Sequence, residues 1–397
     1  MVTVTEASAI VLANVPPFSI SAISVDLAVG RSLAGAVSAD RDLPPINRAT
    51  MDGIAISHNT WSRGFRSFVV EGIQAAGQAP QTLSNPEHCI EIMTGAALPA
   101  GTDTVIPYEQ ITLENKNATV TSDRVNHRQN VHSRGSDALA GTSLLQPGTL
   151  ISPAEVALLS SVGKKLVEVF DFPSTAIVST GDELVPIDST PLPHQVRRSN
   201  SYAIQAAMME IGWPSKTFHL PDDKEVVTAQ LDNILKSHET VIISGGVSKG
   251  KFDFVPDALE ANGIVKRFHR VNQRPGKPFW FGTSGDGRKT VFALPGNPVS
   301  TYLCFYRYVR PWIFKGHHIA REPEYAVLAR DFEGPPDMTY FLQVAVKNEK
   351  GTLTAYPNAG GGSGDFANLK EVTGFLELPG SGSPAKKGDA YPYYSFR

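Results

Sequence analysis

Residues Gly245 to Asp253, GGVSKGKFD, follow the apolar run TVIIS and combine a glycine pair, a hydroxyl, two lysines and an acid. Counted from Gly245 the spacing is G-x-x-x-x-G-K, a loop whose backbone N–H groups cradle phosphates, but Phe252 stands where that motif needs a hydroxyl for Mg²⁺. Counted from Gly246 it is G-x-S-x-G, the sharp turn that presents a hydrolase nucleophile, here Ser248. That chemistry needs an acid and then a histidine further along the chain. Asp286 and His317 keep the order, yet no second motif offers an oxyanion hole, and tandem histidines after a helix are expected in solvent. Taken whole, the stretch is a glycine turn ending in an acid, a carboxylate placed at a strand's end for a ligand. The three readings differ in the residue that carries the chemistry: Lys251, Ser248 or Asp253.

The surrounding elements must bring such turns together. Beyond Pro173 the sequence alternates strand, glycine turn and helix: TAIVST runs into GDE, TVIIS into the turn above, and TVFAL into PGNPVS. Helices are predicted at SYAIQAAMMEI, closed by Gly212, and at DDKEVVTAQLDNILKS. The latter sets Val227, Leu231, Ile234 and Leu235 on one face behind an Asp222 or Asp223 cap. A last helix is predicted at TYLCFYRYVRPWIF. This alternation predicts a parallel α/β sheet from about Ser174 to Phe314. In such a sheet the turns gather at the carboxyl edge, where glycine lets backbone approach a ligand and helix N-termini offer free N–H groups. Any one of them is an ordinary tight turn. Three together, two carrying the acids Glu183 and Asp253, point to a phosphorylated ligand.

The flanking sequence differs. Thr3 and Glu6 have capping-box spacing ahead of ASAIVLANV, which predicts a short first helix. Pro44–Pro45 mark a boundary. From there to about Arg128, short runs such as FVVEGI, CIEIM and ATVTS predict a β-rich domain. A polar stretch then leads to a helix from Ser152–Pro153 that closes at Gly163, and after REPE the runs YAVLARDF, TYFLQVAV, TLTAY and GFLEL predict a small barrel or sandwich. A length of 397 residues predicts two to four domains, and 41% apolar with 19% charged residues fits a soluble globular protein. The net charge of −3 and the lack of basic runs speak against nucleic-acid and membrane partners. Cys89 and Cys304 are too few for a disulfide framework and are predicted as small buried hydrophobes. With no basic leader and no long apolar stretch, the expected location is the cytoplasm.

Placed in order, DLPPINRATMDGIAI, EIMTGAALPAGTDTVIPYEQ, RGSDALAGTSLLQPGT, AIVSTGDELV, ISGGVSKGKFDFV, RPGKPFWFG and LPGNPVSTYLCFY resemble the successive signatures of the molybdopterin molybdotransferase (MoeA, gephyrin E-domain) family. The resemblance implies a multidomain α/β plus β fold. Its parts would be residues 1–43 with 129–172 (elongated linker and dimerisation domain), 44–128 (β-rich), 173–320 (α/β, molybdopterin-binding) and 321–397 (small β-barrel). It implies insertion of molybdate into adenylated molybdopterin with release of AMP, by a homodimer using Mg²⁺, fed by an upstream molybdopterin adenylyltransferase. The cleft would lie between the α/β domain of one subunit and the β-rich domain of the other. Carried over motif by motif, the implied catalytic residues are Asp52, Thr94, Asp137, Glu183 and Asp253, with Glu183 and Asp222 as metal contacts. The implied substrate contacts are Gly181, Gly245, Gly246, Ser248, Arg270, Arg274, Lys277, Pro295, Pro298 and Ser363.

Physical chemistry fits that substrate. A pterin phosphate, a pyrophosphate and molybdate are strongly anionic, so cations and backbone N–H groups must face them. Asp52, Glu183, Asp222 and Asp253 would repel them unless they hold Mg²⁺ or accept from pterin N–H groups and ribose hydroxyls. Glu183 at a helix N-terminus and Asp222 as an N-cap are the plainer roles for those two. Two departures stand out: Ile54 replaces a usual tyrosine after MDG, costing a polar or stacking contact, and Arg270 and Arg274 replace usual lysines, presenting planar forks instead of point charges. A pterin-binding scaffold without catalysis, a nucleoside triphosphatase and a tungstate-inserting variant are the alternatives.

Overall fold

The structure, a computed structural model, describes residues 1–248, 253–380, 382 and 384–397. Two units divide the chain: Met1–Gly35, Pro147–Pro153 and Leu166–Arg397 form the first, Ala36–Gln146 and Ala154–Lys165 the second.

The first unit is built on a six-stranded sheet in the order Lys216–Leu220, Thr175–Thr180, Thr240–Ser244, Thr290–Leu294, Trp280–Ser284, Ile264–His269. Thr175–Thr180, Thr240–Ser244 and Thr290–Leu294 are buried at every position, as strands covered on both faces must be. The first four strands run parallel and Trp280–Ser284 runs against both of its neighbours, so the sheet is mixed where the sequence predicted a parallel one. The cause lies in the connection: the short turn after Ser284 cannot make the crossover of about a dozen residues that a parallel return requires. From Thr175–Thr180 the chain goes first to one neighbour and then, after Lys224–Ser237, to the other. This reversal opens a crevice at the ends of Thr175–Thr180 and Thr240–Ser244.

Helix Lys224–Ser237 buries Val227, Leu231, Ile234 and Leu235, as its spacing predicted. Its cap is Asp223, which accepts from the Glu225 and Val226 N–H groups at 3.0 Å each, so Asp222 is left for another role. Val4–Ala13 has the predicted capping box and packs Val4, Ala7 and Val11 into the same cluster as Trp213 and Trp312. The turn after Thr180 does not enter a helix directly. Leu184–Val185 first pairs in parallel with Val196–Arg197, and the helix Asn200–Met209 follows, so Glu183 is not at a helix N-terminus.

The last helical run is Pro298–Cys304, a π turn Phe305–Val309, and Arg310–Gly316. His317 at its end is 2% exposed, edge-on to Phe18 and Trp213, and bonded through Nδ1 to the Ile313 carbonyl at 3.0 Å. Burial lowers its pKa and keeps it neutral. The sequence placed it in solvent; the aromatic nest explains the difference. Cys89 and Cys304 are buried as expected, and burial pushes both thiols up to about 12. No described helix is long and apolar enough to cross a membrane.

Beyond Arg321, five strands close on themselves: Thr339–Glu349 pairs with Thr352–Pro357 and Gly374–Leu378, and Glu324–Leu328 and Ala390–Ser395 complete the ring. Closure leaves a small barrel filled by Leu328, Leu342, Val344 and Leu376. Gln273–Arg274 joins its edge, Arg274 opposite Tyr340.

The second unit holds its own six-stranded sheet, ordered Thr104–Pro107, Gly53–Ile56, His88–Ile92, Ser67–Gln74, Asn117–Val120, Ile111–Glu114. Ile54 is fully buried with Ile56, Phe68, Cys89 and Ile106, so it fills core. Gly53 is fixed by close approach, since a Cβ there would stand 2.0 Å from the Ile106 carbonyl oxygen. Gly53→Ala should therefore lower the stability of this unit by about 1–3 kcal/mol, read as an earlier urea midpoint. A midpoint equal to that of the wild type would show that these strands can part without cost.

Candidate functional site

A cavity of about 610 Å³ opens at the carboxyl edge of the central sheet. Predicted residues from all three turns line it: Gly181 and Glu183; Gly245, Gly246, Ser248 and Asp253; Pro295 and Pro298; and Asp222 from the loop before Lys224. Gly181 has φ +132, and a Cβ on it would lie 2.4 Å from Glu183 Oε2, so the Glu183 carboxylate folds over bare backbone. Asp222 and Asp182 exchange backbone bonds: Asp222 N donates to Asp182 Oδ1 at 3.1 Å and Asp182 N to Asp222 Oδ2 at 3.4 Å.

Asn200 was missed by sequence reasoning. Its Nδ2 donates to Ser244 Oγ at 2.7 Å and the Gly296 carbonyl at 2.8 Å, and reaches Thr301 Oγ1 at 3.3 Å. The second and third turns are thereby tied to the start of helix Asn200–Met209. The signal was present in VRRSN, a basic pair and an amide directly before a helix, but it reads as an ordinary polar loop.

A second cavity of about 480 Å³ is lined by Arg274, Lys277 and Ser363 and shares Ser248, Pro295 and Asn297 with the first. Its cations are placed by strand pairing and by the buried Gln273, whose Nε2 donates to the Gly276 carbonyl at 3.3 Å. Ser363 is held by Asn297, whose Nδ2 donates to its Oγ at 2.8 Å. No carboxylate lines this second cavity among the described residues. Arg270 is not brought to either one. It sits at φ +77 with its N–H on the Phe279 carbonyl and its own carbonyl accepting from Val2.

The first cavity suits a hard cation shared with a ligand. Among the described residues no three His, Cys, Asp or Glu gather around one point. Mg²⁺ asks for less: one or two carboxylates completed by water and phosphate oxygens, and Glu183 and Asp222 both line this cavity. The alternatives around GGVSKGKFD fare differently. The partners expected for Ser248 do not join it: His317 is buried in an aromatic nest, and Asp286 is turned into its own loop by Ser284 Oγ at 2.5 Å and Arg288 N at 3.1 Å. Lys251 and Phe252, on which the phosphate-loop reading turns, lie outside the described residues.

In the second unit Asp52 and Thr94 meet: the Thr94 N–H and hydroxyl both donate to Asp52 Oδ1, at 2.6 and 2.7 Å. Beside them Tyr108 OH donates to Glu91 Oε2 at 2.8 Å, and burial with that carboxylate raises Tyr108 to about 12. Asp137 pairs with His132 Nε2 at 2.7 Å, which holds its carboxyl below the usual range. Tyr108 and His132 were not singled out from sequence, because a partner set by folding leaves no local spacing.

Residues 2–163, 176–315 and 325–396 match families described as the MoeA N-terminal region (domain I and II), the probable molybdopterin binding domain and the MoeA C-terminal region (domain IV). A molybdopterin molybdenumtransferase of Synechocystis sp. is 36% identical over 100% of both chains. Another, of Bacillus subtilis, is 31% identical over 90% of this chain and 85% of its own. Among solved structures, a molybdopterin biosynthesis MoeA protein of Pyrococcus horikoshii superposes with a TM-score of 0.84 at 26% identity, covering 100% of this chain and 99% of that one.

The Asp52–Thr94 pair yields a pH prediction. The Thr94 N–H, then its hydroxyl, lower the Asp52 pKa by bonding the ionised form. What those bonds add to stability is complete above the ordinary aspartate value of about 3.9 and is lost as pH falls through the lowered one. Thr94→Val keeps the N–H and removes the hydroxyl, so the Asp52 pKa, followed by carboxyl ¹³C NMR, should rise only part of the way to the ordinary value. A complete return would mean that the hydroxyl alone sets it.

Proposed function

This chain belongs to the MoeA family of molybdopterin molybdenumtransferases, and from that membership we propose that it inserts molybdate into adenylated molybdopterin, releasing AMP and leaving the molybdenum cofactor. The observation that carries the reading is a pair of cavities that share a rim: one holds Glu183, Asp222 and Asp253 together with Arg197 and Arg198, the other Arg274 and Lys277 with no carboxylate among the described residues.

Each side has a role in that reaction. Arg274 offers two parallel N–H donors to an oxyanion and Lys277 a point charge, so free molybdate collects on their side. Glu183 and Asp222 would hold Mg²⁺, which when bound offsets phosphate charge and polarises the bond to the adenylate. Asp253, in the same cavity, accepts from an N–H of the pterin or a hydroxyl of the ribose and so orients the substrate. Ser248, on the shared rim, contributes a neutral hydroxyl to either side.

The direct test is AMP release by the purified chain given adenylated molybdopterin, molybdate and Mg²⁺. No AMP under those conditions would overturn the reading. Arg274→Ala should raise the molybdate needed for half-maximal insertion about 10- to 150-fold, the equivalent of about 1.5–3 kcal/mol for a charge-assisted contact. Arg274→Lys should recover much of it, and an unchanged molybdate response would remove Arg274 from the site.

We further propose that the enzyme works as a homodimer in which Asp52 and Thr94 serve the reaction of the partner subunit. Asp52→Ala and Asp253→Ala protomers, each inactive alone, should then recover activity when mixed and allowed to exchange. A fully active monomer, or no recovery in heterodimers confirmed by mass, would defeat this.

A further inference from the structure

The cavity of Glu183 and Asp253 contains three buried side-chain atoms without a hydrogen-bond partner: Thr180 Oγ1, Arg198 Nε and Asn200 Oδ1. Buried polar atoms are nearly always satisfied, so three unpartnered ones on residues that line a single cavity point to a polar ligand there.

Each belongs to a residue whose position is set by its neighbours. Thr180 is 6% exposed, and its Oγ1 lies against bare glycine: a Cβ on Gly245 would stand 2.8 Å away. Asn200 spends its Nδ2 on Ser244, Gly296 and Thr301, and the Gly296 carbonyl, an acceptor only, fixes that nitrogen in place. Its Oδ1 is left as a free acceptor. Arg198 is anchored through its backbone N–H to the Val185 carbonyl at 3.0 Å, yet it makes no ion pair among the described residues. Its neighbour Arg197 contrasts with it, being exposed with Nε on the Ser189 carbonyl at 3.0 Å.

Nearby His219 adds no second positive charge: burial first, and then Arg198 itself, lower its pKa and favour the neutral imidazole. At the same place the ten-residue helix Asn200–Met209 begins, and Ser199 at its cap makes no side-chain bond to the first turn. A half-buried cation, an uncapped helix start and a buried hydroxyl together form an oxyanion site.

We infer that Arg198, with Thr180 and the first turn of Asn200–Met209, binds a phosphate oxygen of the substrate in the cavity of Glu183 and Asp253, apart from the oxyanion held by Arg274 and Lys277. The inference rests on the pterin-adenylate reading above. Phosphate is favoured over molybdate by the company it keeps: Glu183, Asp222 and Asp253 repel a free dianion, whereas a phosphate arrives tethered to its pterin and paired with Mg²⁺. Free molybdate meets no such carboxylates beside Arg274. Asn200 Oδ1 then accepts from an N–H or hydroxyl of the same substrate.

The test uses inorganic pyrophosphate with excess Mg²⁺ as probe, titrated calorimetrically into the full-length protein. Arg198→Gln should weaken binding about tenfold or more, with an unchanged melting profile of the free protein, and Arg198→Lys should restore part of the loss. In the insertion assay Arg198→Gln should raise KM for adenylated molybdopterin by a similar factor while half-saturating molybdate moves less than threefold, the reverse of Arg274→Ala. Pyrophosphate binding equal to wild type in Arg198→Gln, or none in the wild type, overturns the inference. If Arg198→Gln does not fold, an Arg198→Lys protein that binds more weakly than wild type supports it, and one that binds equally well overturns it. Arg198-dependent binding without AMP release from adenylated molybdopterin would sustain the Arg198 site and overturn the reaction.

Discussion

The Asn200 side-chain amide donates from one nitrogen to the end of one strand, to the turn after the next, and to the first turn of helix Pro298–Cys304. Thr301 in turn donates to the Pro295 carbonyl. These bonds act on elements that parallel pairing has already set in step: Ser179 lies opposite Ser244, and Ser244 opposite Leu294. Strand register decides that the three turns meet at one level, and the Asn200 amide holds them at the spacing that leaves a cavity. Glycine at Gly245 follows from that constraint, since its φ is +102 and a Cβ on it would stand 2.9 Å from the Thr180 carbonyl oxygen. Room for a ligand thus comes from side chains withheld as much as from side chains supplied.

Charge is separated by the same architecture. Glu183, Asp222 and Asp253 sit on loops that follow the parallel strands. Arg274 and Lys277 sit on a loop anchored to the barrel through Arg274 opposite Tyr340. Two anchoring systems let opposite charges share a rim without collapsing into ion pairs: none of Arg198, Arg274 or Lys277 is paired with a carboxylate among the described residues. An unpaired cation in a cavity retains its full attraction for an anionic substrate.

Much of this was legible in the sequence, for identifiable reasons. Strands buried on both faces read as unbroken apolar runs, and the turns after them carry glycine because the backbone there demands it. The capping box at Thr3 and Glu6 and the buried face of Lys224–Ser237 are local patterns, and both formed as read. What was illegible depends on distant partners. His317 follows a helix like any solvated histidine, yet Phe18, some three hundred residues away, makes its nest. That Ile54 packs with Phe68 and Ile106 is likewise set by pairing between distant strands. Arg270 shares a motif with Arg274, but its backbone at φ +77 turns it away from both cavities. Arg198 and Asn200 became visible only through their partners, which Arg198 lacks and which Asn200 has on its nitrogen alone.

Beneath the cationic loop lies a polar strut in an apolar core. Gln273 is 1% exposed; its Oε1 accepts from Tyr308 OH, and its Nε2 faces the Gly276 carbonyl and, at 3.6 Å, Cys304 Sγ. Tyr308 lies on the π turn, where the widened helix leaves room for bulky side chains beside one another. A buried amide is costly unless satisfied, and here both its ends are engaged, so the network admits one arrangement of the loop and penalises others. Arg274 and Lys277 flank that arrangement on either side of Gly276. A cation held this way surrenders less freedom when an oxyanion binds than one on a mobile loop, which leaves more of each contact as affinity. The barrel therefore does more than cover a sheet edge: through two strand residues and one glutamine it fixes where positive charge stands relative to the carboxylates.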